Sequence, residues 1–377
     1  MTDAYVAGVG MVPFGRYEGV NEADLVLPAV QVALDDAGVE ASDVQAVFFG
    51  NALGPPGLGQ RTFWASSLVG KPMINIENAC ASAATALVEA VAWIKAGMAD
   101  IALVVGVEIL TGRVEGLIPM PSDDHYAAQG LTLPALYALK ARYHMEIYGS
   151  TPEHFAQVSV KNRRHAVYHD MARFRQEVSL AEVLSSRPIA EPLTLLQCCL
   201  NADGAAAAIV VSECVARGNR RAVRIAASTI GSGLRRQDIG WEEQTLKRVA
   251  RLAYEHAGIG PEDISIAEVH DAFTPGELLA YERLGFSKEG MGGIDLEHGR
   301  FCLGGKPPVV NPSGGLLARG HPPGATGLAQ IHEVVLQLRG EAGPRQVDGA
   351  RVGLTATMGG NVSQLETNAC VVHILTR

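Results

Sequence analysis

GVEASDVQAVFFGN, residues 38–51, shares its pattern with GIGPEDISIAEVHD, residues 258–271, and this pair decides the fold. In both segments a glycine and acidic residues precede a short apolar run of the kind that forms a buried strand. CASAATALVEAVAWIKAG, residues 80–97, and HPPGATGLAQIHEVVLQLRG, residues 321–340, form a second pair, each a predicted helix entered from a loop. Internal repetition of this kind predicts two similar halves that pack back to back.

The rest of the chain alternates short apolar runs with amphipathic stretches, which predicts an α/β fold. Strands are predicted at residues 4–14, 43–53, 100–110, 201–212, 221–231, 261–273, 351–358 and 369–375. Helices are predicted at residues 22–39, 80–97, 242–259 and 323–340. The predicted strand at 100–110 is apolar on both faces, which indicates a strand that is buried on both sides.

Residues 112–196 interrupt this alternation and are richer in Pro, His, Tyr and Arg. They are predicted to form an irregular, partly helical insertion, after which the core resumes. We therefore expect the first half to comprise residues 1–111 and 197–218, with 112–196 as an inserted loop domain. The second half is expected to comprise residues 219–377.

The composition is that of a globular protein, because 47% of the 377 residues are hydrophobic and only 19% are charged. The net charge of −9 and the pI near 5.7 argue against nucleic acid as a partner, which would require a basic surface. The chain has no uncharged apolar run of about 18 residues, so no membrane association is expected. The N-terminal sequence lacks the pattern of a secretory signal, and the predicted location is the cytoplasm.

Six cysteines are scattered along the chain without paired C-x-x-C spacing, so no metal site is predicted and most thiols are expected to be inert. Cys80 differs because it begins a predicted helix, and the partial positive charge there lowers the pKa of a thiol. The repeat puts His321 at the equivalent position of the second half. Cys80 is therefore a candidate nucleophile with His321 as its partner. The alternative is a small buried core residue; the adjacent Cys198 and Cys199 are interpreted as structural.

Three further motifs are candidates for a functional site. NPSGGLLARGHPPGATG, residues 311–327, has the glycine and proline density of a rigid irregular loop, either to hold His321, as a helix cap, or to cradle a phosphate. EVHDAF places His270 at the end of a predicted strand, where open α/β folds bind ligands. RVGLTATMGGN ends in glycines whose backbone N–H groups could donate to an oxyanion, unless they form only a tight turn.

Five segments in this order resemble the thiolase superfamily, in particular its sterol carrier protein type. They are NACASAATAL, HMEIYGSTPEHFA, TLLQCCLNADGAAAAI, VHDAFTPGELLAYERLG and NPSGGLLARGHPPGATGLAQ. The resemblance implies two βαβαβαββ halves in a five-layered αβαβα sandwich, with residues 112–196 as a loop domain over the substrate. It also implies a dimer or tetramer that acts on coenzyme A thioesters and holds no permanently bound cofactor.

The resemblance also implies a role for each matching residue. Cys80 would attack the thioester carbonyl and carry the acyl group, and His321 would take the thiol proton. His270 and His321 would bind the thioester oxygen of the second acyl-CoA, while the backbone N–H groups of Cys80 and Gly359 would form a second oxyanion hole. The candidate coenzyme A-binding residues are His144, Met145, Phe273 and Ser313.

Most thiolases have a second catalytic cysteine at one of two positions. This chain has a cysteine at neither of them, because Ala272 and Thr357 occupy these positions. Cys80, His270 and His321 resemble the Cys-His-His sets of ketoacyl synthases and archaeal thiolases, which often work beside a small subunit with a zinc ribbon and an OB fold. His270, Tyr143 or His144 could replace the lost proton transfer.

The predicted function is that of an acyl-CoA C-acyltransferase, which makes or cleaves the C–C bond of a 3-oxoacyl-CoA through an S-acyl Cys80. One alternative is an aldolase or retro-aldolase of the same fold, acting on a coenzyme A thioester with a small partner subunit. The other is a noncatalytic carrier of acyl-CoA or lipid, against which the three retained site residues argue.

Overall fold

The computed structural model describes residues 2–120, 124–239, 244–360 and 365–377, so the first two residues of the predicted helix 242–259 lie outside the described ranges. The strands are β1 Ala4–Met11, β2 Ala46–Gly50, β3 Met73–Ile76, β4 Ile101–Glu108, β5 Pro188–Ala190, β6 Leu193–Thr194, β7 Gly204–Ser212, β8 Val223–Gly231, β9 Ile266–Val269, β10 Val309–Val310, β11 Val352–Gly359 and β12 Ala369–Thr376. The helices are α1 Glu22–Ala37, α2 Leu58–Phe63, α3 Ser82–Lys95, α4 Leu133–Tyr148, α5 Pro152–Ala166, α6 Leu180–Ser185, α7 Glu213–Ala216, α8 Arg236–Ile239, α9 Gln244–Ala257, α10 Thr274–Arg283, α11 Gly292–Glu297, α12 Gly315–Arg319 and α13 Thr326–Arg339.

The strand order shows the duplication directly. Within the described ranges, ten strands follow the order β10-β9-β11-β12-β8-β1-β7-β4-β2-β3. In the first half β2 pairs in parallel with β3 and β4, and β7 pairs antiparallel with β4 and β1. In the second half β9 pairs in parallel with β10 and β11, and β12 pairs antiparallel with β11 and β8. Two short pairings, Tyr5 with Arg224 and Val6 with Val223, join the half-sheets.

The helices complete the layers of the sandwich. Helix α3 contacts β2 and β4 of the first half and β8 of the second, while α13 contacts β9 and β11 as well as β1 and β7. Both helices therefore lie between the half-sheets, where they also contact each other. Helix α1 covers β1 and β7, and α9 covers β8 and β12. This helix–sheet–helix–sheet–helix arrangement confirms the predicted fold class.

Small side chains allow the two central helices to approach closely. Helix α3 buries Ser82, Ala83, Ala84 and Ala86 near its start. A Cβ atom on Gly327 of α13 would lie 2.6 Å from the backbone nitrogen of Ala84, so a larger residue would force the helices apart. The alanine-rich sequence thus brings the N-terminal ends of α3 and α13 to the same place.

Residues 112–196 contain α4, α5, α6 and the short β5–β6 hairpin. Helix α5 contacts α10, α11 and α12, so this segment packs on the second half although it interrupts the first. Among the helices of the described ranges, none has the length and apolar content that a membrane span requires.

Candidate active site

Cys80 lies in a short 3-10 turn, Ala79–Ala81, immediately before α3. Ala79 has a φ of 48°, in the left-handed region that is unfavourable for residues other than glycine, and such strain is concentrated at functional sites. The backbone N–H of Asn78 donates to Ser82 Oγ at 2.9 Å, and this hydroxyl donates to the carbonyl of Ala79 at 2.6 Å. The turn is therefore held by its own polar groups with Cys80 at the helix entrance, as predicted.

His321 contacts Cys80 in the tautomer that a base requires. Its Nε2 lies 3.2 Å from Cys80 Sγ, and its Nδ1 lies 2.7 Å from Thr326 Oγ1. The Thr326 hydroxyl donates its only proton to the carbonyl of Pro322 at 2.9 Å, so it must accept from Nδ1–H of His321. Nε2 is thus unprotonated and can accept the thiol proton of Cys80.

His270 lies directly after β9 and completes the cluster. Its ring centroid is 5.2 Å from that of His321, and the rings are nearly perpendicular at 83°. The buried Nδ1 atom of His270 has no hydrogen-bond partner among the described residues. The next residue, Asp271, accepts from the backbone N–H groups of Leu316 at 2.7 Å and Leu317 at 3.2 Å. The segments that carry the two histidines are therefore tied together.

Burial controls the charge state of this cluster. It raises the pKa of Cys80 to about 12, although the N–H groups of Gly360 and of Cys80 itself act in the opposite direction. Burial and the charges of His270 and Arg319 lower the pKa of His321 well below its ordinary value. The predicted lowering of the thiol pKa by the helix is therefore reversed, because desolvation outweighs it. The resting pair is a neutral thiol and a neutral imidazole.

The same three side chains form a potential metal-ligand set. One ligand atom each of Cys80, His270 and His321 lies within 4.8 Å of the other two. Thiolate and imidazole are the ligands that Zn²⁺ prefers, with a fourth position left open in catalytic sites. The expectation that the site works without a metal remains a prediction.

The cluster opens into a cavity of about 1120 Å³. Residues of the 112–196 insertion line part of it, including Leu117, Ile118, Met120 and Tyr137. Phe273 also lines the cavity, as predicted, and packs on Tyr137 with ring centroids 4.6 Å apart. Cationic side chains line the cavity as well: Arg16, Lys140, Arg173 and Arg187.

Three predicted coenzyme A-binding residues are not among those that line the cavity. His144 is buried between Ser150 Oγ, 2.9 Å from its Nδ1, and the Glu282 carboxylate, 3.1 Å from its Nε2. Met145 packs against the hydrophobic core of the second half. Ser313 is buried with its hydroxyl donating to Glu268 at 2.7 Å. In the structure these three residues support the scaffold, because their side chains are occupied by other partners.

Gly359 is likewise not among the residues that line the cavity. It lies within β11 opposite Ala369, and a Cβ there would lie 2.3 Å from the carbonyl oxygen of Asn78. Glycine at this position permits the close approach of β11 to the Cys80 turn. The following residue, Gly360, lines the cavity and directs its N–H to Cys80. Gly360 is therefore the better-placed oxyanion donor.

The cationic residues of the cavity were not predicted from the sequence, and the adjacent cysteines also line the cavity. Arg16, Arg173 and Arg187 are far apart in sequence, and no local pattern predicts that they share a cavity. Cys198 and Cys199 were interpreted as structural, yet both line the cavity. Both cysteines lie shortly before the strand with which the core resumes. This position was the available signal, because binding sites in α/β folds lie at the ends of the core strands.

A duplicated sandwich with a cysteine at one central helix entrance and a histidine at the other defines a class of acyl-transferring folds. Residues 4–214 match the family described as "Thiolase, N-terminal domain", and residues 226–375 match "Thiolase C-terminal domain-like". The chain belongs to the thiolase family.

Individual relatives extend this comparison. The chain is 41% identical to an acetyl-CoA acetyltransferase of Methanothermobacter thermautotrophicus, with all of both chains covered. It is 40% identical to sterol carrier protein 2 of Oryctolagus cuniculus, over 94% of this chain and 69% of that protein. The solved structure of the Ltp2-ChsH2(DUF35) aldolase is similar with a TM-score of 0.85 and 27% identity, covering 99% of this chain and 97% of that one.

Proposed function

We propose that the protein is an acyl-CoA C-acyltransferase that makes or cleaves the C–C bond of a 3-oxoacyl-CoA through an S-acyl Cys80 intermediate. The contact of 3.2 Å between Cys80 Sγ and His321 Nε2, with the tautomer fixed by Thr326, carries this proposal. A neutral thiol is a weak nucleophile unless a base removes its proton during attack. His321 is positioned to do this.

In the acylation step, Cys80 Sγ attacks the thioester carbonyl and transfers its proton to His321 Nε2. The C–S bond to coenzyme A breaks, and because His321 holds the proton of Cys80, the departing sulfur takes its proton from a second group in the cavity and leaves as a thiol. The carbonyl oxygen becomes negative as the tetrahedral intermediate forms, and the N–H groups of Cys80 and Gly360 donate to it. Such preorganised donors contribute about 10²–10³-fold to acyl transfer.

In the condensation step, the α-carbon of a second acyl-CoA attacks the acyl group on Cys80. Its thioester oxygen acquires enolate character, and we assign its stabilisation to His270 and His321. The buried Nδ1 of His270 has no hydrogen-bond partner in the described parts of the chain. The ring can therefore carry its proton on the other nitrogen and donate a hydrogen bond from there. The low pKa of His270, about 3 because of burial, keeps the ring neutral, as a hydrogen-bond donor to an enolate should be.

The cavity suits coenzyme A thioesters as substrates and needs no permanently bound cofactor. Its apolar wall, with Phe273 and Tyr137, fits an acyl chain and the pantetheine arm. Arg16, Arg173 and Arg187 provide positive charge that the acidic chain as a whole lacks. Guanidinium groups bind phosphates in bidentate geometry, which supports their assignment to the phosphates of coenzyme A.

The decisive experiment is intact-mass spectrometry after incubation with a panel of acyl-CoAs and 3-oxoacyl-CoAs, with a chelator present to exclude bound metal. One acyl group should be added to the protein and should be absent in Cys80→Ala. Cys214→Ala removes an exposed thiol outside the cavity and should keep the adduct. An unmodified wild-type protein that still binds acyl-CoA would favour the noncatalytic carrier instead.

An aldol or retro-aldol reaction on a coenzyme A thioester is the second candidate. It is favoured by the likeness to the Ltp2-ChsH2(DUF35) aldolase, whose name joins two components. We therefore also propose a small partner subunit, alongside a homodimer or homotetramer. Purification from the native source followed by light scattering and mass spectrometry would reveal both. Cleavage of a β-hydroxyacyl-CoA with full retention of activity in Cys80→Ala would replace the acyltransferase with the aldolase.

A further inference from the structure

The segment 198–201 runs along both loop segments that carry the histidines. Cys198 pairs antiparallel with Phe273, and Asn201 pairs in parallel with His321. The backbone N–H of Cys199 donates to the carbonyl of Ala272 at 2.8 Å. The segment therefore connects the two loops of the candidate active site through backbone hydrogen bonds.

This register sets the direction of the Cys199 side chain. Since Cys198 is opposite Phe273, Cys199 is opposite Ala272. Directly opposite residues of an antiparallel pair project to the same face with Cβ atoms roughly 5 Å apart. Both residues line the cavity, and Ala272 lies two positions after His270. The small methyl group of Ala272 leaves the space above it to the thiol of Cys199.

We propose that Cys199 is the catalytic acid and base for the carbon acid, a role that rests on the acyl transfer proposed above. The cross-strand neighbour thus supplies the thiol that position 272 lacks. Condensation requires a group that removes the α-proton of the second acyl-CoA, and this group must share the cavity with Cys80 and His270.

The electrostatics of the cavity support this choice. Burial raises the pKa of Cys199 well above its ordinary value, and the neighbouring Cys198, Cys80 and Asp271 act in the same direction. Once deprotonated, Cys199 is a strong base. His270 is a much weaker base, because burial and the charge of Lys140 lower its pKa to about 3. His321 already serves Cys80.

The proton balance closes over the two half-reactions. During acylation the Cys80 proton passes to His321, and Cys199 donates its proton to the departing coenzyme A sulfur, which leaves Cys199 as a thiolate. During condensation this thiolate takes the α-proton of the second acyl-CoA, and the α-carbon bonds to the acyl carbonyl. The C–S bond to Cys80 breaks, and Cys80 recovers its proton from His321.

The test measures exchange of the α-protons of acetyl-CoA in D₂O together with the acyl adduct on Cys80. Cys199→Ala and Cys199→Ser should still form the adduct, though more slowly because the departing coenzyme A sulfur loses its proton donor, and should lose exchange by about 10²–10⁴-fold, the usual contribution of a general base. The double variant Cys199→Ala/Ala272→Cys moves the thiol to the opposite position of the strand pair. It should restore much of the exchange that Cys199→Ala loses. Cys214→Ala serves as the control and should exchange at the wild-type rate.

Each outcome separates this role from the underlying function. An intact adduct with wild-type exchange in both single variants would overturn the role of Cys199 alone. So would a double variant that forms the adduct but fails to recover exchange. Absence of any adduct in the wild-type protein would instead contradict the acyl transfer itself.

Discussion

The entrances of α3 and α13 occupy equivalent positions in the two halves but are held in different ways. The α3 entrance, with Cys80, is fixed by short local hydrogen bonds from Asn78 and Ser82. The segment before α13, with His321, is anchored by buried charge. Arg319 is fully buried and pairs with Glu268 at 3.2 Å.

This difference follows from what each half supplies. A thiol nucleophile needs only a turn that places one sulfur atom at the cavity, and small neighbouring residues suffice. An imidazole must also keep one tautomer and one ring orientation, so the loop before α13 is held by ionic hydrogen bonds that exclude alternatives. In the proposed mechanism, the first half thus contributes the reacting atom and the second half contributes the rigid base.

Removal of the reacting atom should have the largest effect. In Cys80→Ala no acyl-enzyme can form, and the rate of acyl transfer should fall by about 10⁴-fold or more, because catalysis then depends on binding and the oxyanion donors alone. Steady-state assays of 3-oxoacyl-CoA cleavage check this. A loss of less than tenfold would contradict the covalent route.

Variants of the two histidines should slow different half-reactions. His321→Ala removes the base of Cys80 and should slow acylation by about 10²–10⁴-fold. His270→Ala should leave acylation nearly intact and slow condensation by about 10²–10³-fold, because it removes an enolate donor. Rapid-mixing measurement of the first coenzyme A released, compared with product formation, distinguishes them. Equal losses in both steps for both variants would contradict this division.

Buried charge should matter more for stability in the second half than in the first. Arg319→Met leaves Glu268 buried without its cation and should lower the free energy of unfolding by about 3–5 kcal/mol. The matched first-half variant is Glu108→Gln. Burial raises the pKa of Glu108 to about 7, and backbone N–H groups of Ala52 and Gly324 are its partners.

Replacing this carboxyl with a neutral amide should lower the free energy of unfolding by only about 1 kcal/mol, because the amide oxygen can still accept from the same N–H groups. Urea unfolding at pH 7 measures both variants. Similar losses for the two would contradict a larger contribution of buried charge to stability in the second half.

The last prediction concerns the pH dependence of Cys80 alkylation. Only the thiolate reacts, and with a pKa of about 12 its fraction rises roughly tenfold per pH unit from neutrality upward. Iodoacetamide labelling of Cys80, followed by peptide mass spectrometry, should therefore accelerate continuously between pH 7 and 10, with exposed Cys214 as the reference.

Acyl transfer should behave differently in the same range. It uses the thiol–imidazole pair, and protonation of His321 occurs only at acid pH because its pKa is lowered. The rate of acyl transfer should stay level at pH values above 6.5, the ordinary pKa of histidine, and should fall only at pH values well below 6.5. Alkylation that levels off near neutrality would indicate a resting thiolate instead.

Much of the site was predictable because it depends on local pattern. The matched segments at 38–51 and 258–271 and the paired helices predicted the duplication, and hence the meeting of Cys80 and His321. Ser313 and His144 were assigned to coenzyme A from their motifs, yet each is bonded to a buried carboxylate elsewhere. A motif fixes which residues belong together but not which way a side chain points.

The sequence by itself determined the two-half architecture and pointed to Cys80, His270 and His321 as one cluster, because apolar periodicity and repeated order are properties of neighbouring residues. Only the tertiary structure decided the charge state of Cys80, since desolvation depends on everything packed around it. It also decided that Gly360 rather than Gly359 faces the sulfur, and that Cys199 lies opposite Ala272. These relations arise between segments far apart in the chain, where strand register and packing set the distances.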